Sequence, residues 1–401
     1  MTETVKSIKP VSIAAYSSIS ACGLGNKALF QTLTEHKSSL AKLKLFEVPF
    51  ATFVGEIKGE LPEISAELEI YNSRNSRVAL AALNHPASGL REAVKTAKTR
   101  YGSHRVGVIV GTSTSGLYET ESAYSLLLQQ GVMPDDFNFV TRHAYQATGR
   151  FLQLELGLTG PCFSISTACS SGAKAIAAGQ RLIDNDVCDA VLVGGVDTLC
   201  RLTLRGFKSL GLVAELPCTP MDKDRKGISI GEAAGLILLE KSSQGDSLPK
   251  LLAVGESSDA HHMSTPHPEG KGAVLAMQRA LQLARLKAES IGYLNLHATA
   301  TKINDQVESL AVQQVFSDQL KCSATKGVTG HTLGAAGALE AIIALSALQH
   351  QFIPGTYGLS HQDEQCNLQV VKTPQLNQTL DYAMSNSFGF GGNNASIIFS
   401  L

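Results

Sequence analysis

The chain has 401 residues, 44% of them hydrophobic and 17% charged, with 34 Lys+Arg against 35 Asp+Glu. That length supports one large or two medium domains with a substantial core, and so little charge excludes a long disordered tail. A formal net charge of −1 offers no global field to attract DNA, which argues against a nucleic-acid role; an acidic partner has to be met by a local basic patch.

Val11 to Ile19, followed by Cys22-Gly-Leu-Gly-Asn26, predicts a strand, a glycine turn and a helix over Lys27 to Thr34. The apolar stretch from Val11 to Tyr16 is too brief for a signal segment, and nowhere do ~18 uninterrupted apolar residues occur. The expectation is a cytoplasmic protein without membrane insertion. Helices are predicted over Arg77 to Leu83 and Ser170 to Ile183, and strands at Val106 to Val110 and Ala190 to Val193. Such β-branched runs suit strands buried on both faces, so a βαβα order with a mainly parallel sheet is expected.

The polar stretch Lys241-Ser-Ser-Gln-Gly-Asp-Ser247 then interrupts the pattern. A similar course restarts: strand Leu251 to Glu256, helix Gly272 to Arg285, strand Tyr293 to Leu296, helix Gly334 to Leu348 and a closing strand at Ala395 to Phe399. The chain thus reads as a duplicated unit, 1–245 and 246–401, with a site at the join between halves. The eight cysteines, at 22, 162, 169, 188, 200, 218, 322 and 366, form no CxxC pair and read as reduced thiols.

One of them is placed for chemistry. Cys169, in Ser164-Ile-Ser-Thr-Ala-Cys169-Ser-Ser-Gly172, stands between a short strand and a helix start, where free N–H groups and the helix dipole favour a thiolate. A thiol pKa falling from ~8.5 toward 7 is expected there. Taken alone, a buried structural cysteine is an equally good reading. His297 follows a strand, with Asp305 and Glu308 at the start of the next helix, and His331 lies in a loop that opens a helix carrying Glu340. A lone histidine is ordinarily a core residue, but two of them plus Lys326, all at element ends, weaken that reading. In a dry pocket Lys326 would pair with Glu340 or Asp305. The loop Phe388-Gly389-Phe390-Gly391-Gly392 permits positive φ and close approach to a ligand. No GxxxxGK[ST] accompanies it, so an oxyanion or gating loop fits better than a phosphate cradle. His261, His262 and His267 match no metal-ligand spacing, and no metal site is expected.

Together these stretches resemble the elongating β-ketoacyl-acyl-carrier-protein synthases of the thiolase superfamily. The likeness runs from Val11 to Phe399 and rests on Thr167-Ala-Cys-Ser-Ser-Gly172, His297-x-Thr299-x-Thr301, Lys326-x-x-x-Gly-His331 with Gly334-Ala-Ala-Gly337, and Phe388-Gly-Phe-Gly-Gly392, in that order. The resemblance implies a thiolase fold of two βαβαβαββ halves in a five-layered αβαβα sandwich. It implies decarboxylative condensation of an acyl group on Cys169 with malonyl-acyl carrier protein, His297 and His331 stabilising the enolate and Lys326 with Glu340 supporting them. The N–H groups of Cys169 and Phe390 would form the oxyanion hole, Phe390 would be the gate, and Thr299, Thr301, Phe207 and Thr114 would bind substrate. No cofactor is implied, because phosphopantetheine arrives on the acyl carrier protein. Partners would be that carrier and a second subunit, either a copy of this chain or a chain-length-factor-like homologue.

Gly111-Thr-Ser-Thr-Ser-Gly116, Gly255-Glu-Ser-Ser-Asp-Ala-His-His262, Pro266-His-Pro-Glu-Gly270 and Asn393-Asn394 are similar to the synthases of aryl polyene pigment pathways. The alternatives are housekeeping fatty-acid elongation, a non-condensing chain-length factor, which would lack the cysteine, and a hydrolase, which would leave Lys326 and one histidine idle. Two departures stand out: Ala298 replaces the usual glycine, and Gly211 occupies the place of the usual carrier-docking arginine. Arg205 and Lys208, or Arg74 and Arg77, are the candidates to meet the carrier.

Overall fold

The computed structural model describes residues 8–401. Five strands build the first half: β1 (Val11–Ser20), β2 (Val106–Gly111), β3 (Cys162–Ile165), β4 (Ala190–Asp197) and β5 (Ala233–Lys241). Five more build the second: β6 (Lys250–Ser258), β7 (Tyr293–Asn295), β8 (Lys321–Ser323), β9 (Tyr382–Gly389) and β10 (Asn393–Ser400). From the outside inward the first sheet runs β3-β2-β4-β5-β1 and the second β8-β7-β9-β10-β6, with the two-residue strand Gln369–Val370 added in parallel outside β8. The two orders are the same permutation of five strands, and the parallel and antiparallel pairs also fall in the same places. The duplication suspected from the sequence is therefore topological.

Each sheet is mixed, which corrects the expectation of a mainly parallel one. Pairs β2–β3, β2–β4, β7–β8 and β7–β9 are parallel, whereas β4–β5, β5–β1, β9–β10 and β10–β6 are antiparallel. The reason is plainest at the end of the chain: only the short turn Phe390–Gly392 separates β9 from β10, too few residues for a crossover helix, so the chain reverses as a hairpin. The halves meet through a brief antiparallel pairing of Val11 with Leu251 and Ser12 with Lys250.

The helices, in chain order, are α1 (Asn26–Thr34), α2 (Arg74–Asn84), α3 (Leu90–Tyr101), α4 (Leu117–Gln130), α5 (Ala147–Glu155), α6 (Ser171–Asp184), α7 (Arg201–Ser209), α8 (Lys271–Ala284), α9 (Lys302–Val315), α10 (Lys326–Thr329) and α11 (Ala336–His350). Helices α2, α3 and α5 cover the outer face of the first sheet, and α8, backed by α9, covers that of the second. Helices α6 and α11 lie between the sheets. The result is five layers, αβαβα. Helix α11 is buried at every position from Ala336 to Leu348, as a helix that is apolar on every face except for Glu340 and Ser346 must be. Leu333–His350 is the one stretch among the described residues apolar and long enough to cross a membrane, and 89% of it is inside the protein.

The two central helices cross very closely. A Cβ added to Gly172 would lie 2.9 Å from the Ala338 nitrogen, and one added to Gly337 would lie 2.7 Å from the Ala173 nitrogen. Both glycines are therefore required by backbone-to-backbone contact rather than by a turn. That contact brings the N-terminal ends of α6 and α11 together, and with them the loops bearing Cys169 and His331.

Candidate active site

Cys169 lies between β3 and α6, immediately after Ala168, whose φ of +51° turns the chain sharply. Its sulfur sits 3.0 Å from His331 Nε2. His297 follows the end of β7, and its ring meets that of His331 edge-on, with centroids 5.4 Å apart. The sulfur and one nitrogen from each ring all lie within 4.8 Å of one another, and the three residues are buried. This is the one His, Cys or carboxylate trio with metal-like spacing among the described residues, but the Lys326 ammonium beside it opposes a second cation.

Lys326 opens α10, and its ammonium donates to the His297 carbonyl and to the Glu340 carboxylate. It also lies 3.4 Å from His297 Nδ1. Because an ammonium only donates, this contact leaves the imidazole proton on Nε2, the nitrogen free to donate to a substrate oxygen. Glu308 fixes the same residue from behind, accepting the N–H groups of His297 at 2.8 Å and Ala298 at 2.7 Å. Asn386, which opens the stretch leading into the 388–392 turn and has no role legible from sequence, donates to the same carboxylate at 3.2 Å. Between the two candidate partners of Lys326, the structure chooses Glu340. Asp305 pairs instead with Arg225 at 3.3 Å and accepts the Met221 N–H at 3.0 Å.

The electrostatics correct one expectation. Burial pushes the Cys169 thiol up to about 11, with Lys326 and the Phe390 N–H pulling the other way. The helix start does not produce a resting thiolate, because the group is almost wholly removed from water. Both imidazoles are held well below their ordinary value, by burial first and then by the Lys326 charge, so they are neutral at physiological pH. Burial lifts the Glu308 carboxyl to about 7, against the pull of its N–H donors. Burial likewise raises Glu340, and Lys326 draws it back. A neutral His331 beside a protonated thiol can take the proton as the sulfur attacks.

A measurable consequence follows. With the thiol raised, the thiolate fraction climbs about tenfold per pH unit throughout the range below its pKa. Alkylation of Cys169 by iodoacetamide, read by peptide mass spectrometry, should therefore keep rising from pH 6.5 to pH 9.5. A plateau near pH 7 would restore the low-pKa thiol.

The trio lies in a cleft of about 470 Å³ lined also by Phe207, Thr299, Thr301, Phe388, Phe390 and the glycines of the 389–392 turn. Cys169 is the single cysteine lining it. Thr299 and Thr301 hydroxyls stand 2.9 Å apart. The Phe390 N–H lies near enough to the Cys169 sulfur to favour its ionised form, and its ring packs against Phe207 at 5.6 Å. The turn is tied to the loop after β6: the Gly391 N–H donates to the Met263 carbonyl at 2.8 Å, and the Asp259 N–H to the Gly392 carbonyl at 2.9 Å. His261, His262 and His267 stand on this loop; the rings of His261 and His267 are 5.1 Å apart.

Ala298, in the place where a glycine was expected, has φ +25° and is fully buried. An L-residue is strained there, at a cost of order 1–2 kcal/mol, of which the extra freedom of an unfolded glycine offsets about half. Ala298→Gly should therefore raise stability by about 0.5–1 kcal/mol in denaturant unfolding; a loss would show that the methyl group is needed for packing.

Three expected site residues lie elsewhere. Thr114 does not line the cleft, and its hydroxyl donates to buried Asp197 at 2.8 Å. Asp197 also accepts from Thr112 at 2.6 Å and the Gly334 N–H at 2.6 Å, tying the end of β2 to the turn before α11. Arg74 is consumed by buried Glu232, with Nε donating at 2.9 Å. Arg77 donates to the carbonyls of Pro62 and Leu61. Neither arginine is free to meet a carrier. Arg205 is exposed on α7, and Lys208 lies 3.4 Å from Glu215.

Fold and site together define a thiol-dependent condensing enzyme: duplicated halves, a buried cysteine at a central helix start, and two neutral imidazoles facing it. Family models agree. Residues 9–245 match the N-terminal domain of β-ketoacyl synthase and 250–360 its C-terminal domain. The chain is 30% identical to 3-oxoacyl-[acyl-carrier-protein] synthase 2 of Coxiella burnetii over 94% of its length and 95% of the relative's. It is 35% identical to the protein of the same name in Vibrio cholerae, over 74% and 75%. Among solved structures it is similar to the ketosynthase ApeO of Xenorhabdus doucetiae, solved in complex with its chain length factor ApeC, with 40% identity, 98% of both chains covered and a TM-score of 0.92. A β-ketoacyl synthase from Burkholderia phymatum gives 26% identity, 98% and 99% coverage and a TM-score of 0.88. The chain belongs to the β-ketoacyl synthase family, and it is a β-ketoacyl-acyl-carrier-protein synthase acting in chain elongation of the fatty-acid and polyketide kind.

Proposed function

We propose that this enzyme lengthens aryl or polyenoyl chains by two carbons at a time, with Cys169 as the acyl-accepting nucleophile and His297 and His331 as the pair that serves decarboxylation. The observation that carries the reading is the meeting of one sulfur and two neutral imidazoles within 4.8 Å at the floor of a single cleft. Cys169 attacks the thioester carbonyl, its proton passing to His331, and the carrier thiol leaves. Malonyl carrier protein then binds. Loss of carbon dioxide leaves an enolate whose oxygen accepts the Nε2–H of His297; the enolate carbon attacks the acyl-cysteine carbonyl, the carbon–sulfur bond breaks, and the departing Cys169 thiolate is returned to the thiol by a proton from solvent. The Phe390 and Cys169 N–H groups receive the oxyanion of each tetrahedral intermediate. Phosphopantetheine on an acyl carrier protein delivers both substrates, so no resident cofactor is invoked.

The aryl or polyenoyl assignment is supported by the pigment-like stretches 111–116 and 255–262 and by the likeness to ApeO. A homologous second subunit is supported by exposed apolar side chains, Phe163 on edge strand β3 and, in and after α4, Leu128, Val132, Phe139 and Val140, the kind of side chains that a partner covers. Eight free thiols, with no disulfide among the described residues, support a reducing compartment such as the cytoplasm.

The test is a comparison of primers. Supplied with a chain-length-factor-like homologue and malonyl carrier protein, the enzyme should extend aryl-primed or polyenoyl carriers at least tenfold faster than saturated ones, measured by mass spectrometry of the products. A preference for saturated chains would assign it instead to housekeeping elongation.

A further inference from the structure

Two of the charged residues that line the cleft are lysines without a carboxylate partner. Lys226, next to buried Arg225, and Lys302, the first residue of α9, both line it, and both are exposed while Cys169 at its floor is buried. No carboxylate lies within 4.0 Å of either ammonium among the described residues. The neighbouring cation, Arg225, is neutralised by Asp305 at 3.3 Å and Asp363 at 2.7 Å. The acid on this wall, Asp259, is occupied by the Asn394 amide at 2.7 Å and the His267 N–H at 3.2 Å. Two uncompensated lysines thus sit above a throat of uncharged hydroxyls, Thr299 and Thr301, that ends at a nucleophilic sulfur.

We propose that Lys226 and Lys302 form a phosphate clamp that holds the far end of a phosphorylated pantetheine arm and sets its thioester against Cys169. The inference deepens the condensing reading and rests on it. The order of the cleft, two cations, neutral hydrogen-bonding groups and then the nucleophile, matches the order of the arm: one phosphate, uncharged amides and then the thioester. Lysine suits this task as a mobile point charge on a flexible stem, which can follow the phosphate as the arm enters. The two lysines are positioning residues, since they lie at the mouth and the chemistry is at the floor.

The test compares one acyl group carried on pantetheine, on 4′-phosphopantetheine, on coenzyme A and on the carrier protein, with acylation of Cys169 followed by intact-protein mass spectrometry. The parent enzyme should favour the phosphorylated arm over the unphosphorylated one by about tenfold, equivalent to about 1.4 kcal/mol. The preference should shrink with added salt. The pair Lys226→Ala and Lys302→Ala should bring the ratio close to one while leaving the unphosphorylated thioester unaffected, and the matching arginine variants should keep the preference. The coenzyme A thioester should lose rate in step with 4′-phosphopantetheine.

Persistence of the parental ratio in the double variant would overturn the clamp, as would an equal loss with both small thioesters. Loss confined to the carrier-bound substrate would also overturn it, because the lysines would then meet the carrier's surface and not the phosphate. If no thioester acylates Cys169 of the parent enzyme, the condensing reading itself fails, and the clamp with it.

Discussion

Lys326→Met should unfold the protein more easily by about 3–5 kcal/mol and cut condensation by at least a hundredfold. The ammonium is the partner of Glu340, whose side chain is 3% exposed, and removing one member of a buried pair leaves the other charge without compensation. It also donates to the carbonyl of His297 and sits beside Nδ1, so the loss should release the imidazole tautomer that points a proton into the cleft. Stability and chemistry are separable by a second variant. With Lys326→Met and Glu340→Leu combined, neither member of the pair is left as an unpaired buried charge, and thermal unfolding should recover most of the loss while activity stays low. Recovery of turnover together with stability would show that the pair is only a structural element.

The two histidines should fail in different ways. His331 lies 3.0 Å from the sulfur, whereas His297 is held by Lys326 and Glu308 from the other side. His297→Ala should lower malonyl decarboxylation by about 10²–10³ while Cys169 still accepts an acyl group at a similar rate. His331→Ala should lose decarboxylation to the same extent and also slow acylation, because a thiol raised to about 11 loses its proton acceptor. Acylation can be read by mass spectrometry and decarboxylation by release of labelled carbon dioxide. Equal behaviour of the two variants in both steps would refute the division of labour.

Much of this site is legible in the sequence because its residues stand at element ends, where glycine and small side chains betray close approach. Cys169, His297, Lys326, His331 and the 388–392 turn all converge in the structure. Pairings that depend on distant parts of the chain are less visible. Nothing local to Asp305 announces Arg225, eighty positions earlier, and nothing near Arg74 announces Glu232. Arg74 reads from sequence as a surface charge open to a carrier, and Arg225 draws no attention, because sequence carries no burial information for a cation whose acid lies on another element. Thr114 misleads for a related reason: its hydroxyl is committed to Asp197, which belongs to β4. The thiol was misjudged because a helix terminus is a local signal, while desolvation is a property of the whole packed interior. The β9–β10 hairpin follows from the shortness of the turn 390–392, whereas the antiparallel pairing of β4 with β5 across residues 198–232 has no comparable local signal.

The turn that carries Phe390 does two things with one stretch of backbone. Its N–H lies near the nucleophilic sulfur, and its glycines are bonded to residues 259 and 263 across the cleft. The ring can rotate about its own side-chain bonds without disturbing that backbone, whereas a shift of the turn itself would move the N–H and break both bonds to the loop after β6. The position of the ring and the position of the donor are thus governed by different bonds of one residue.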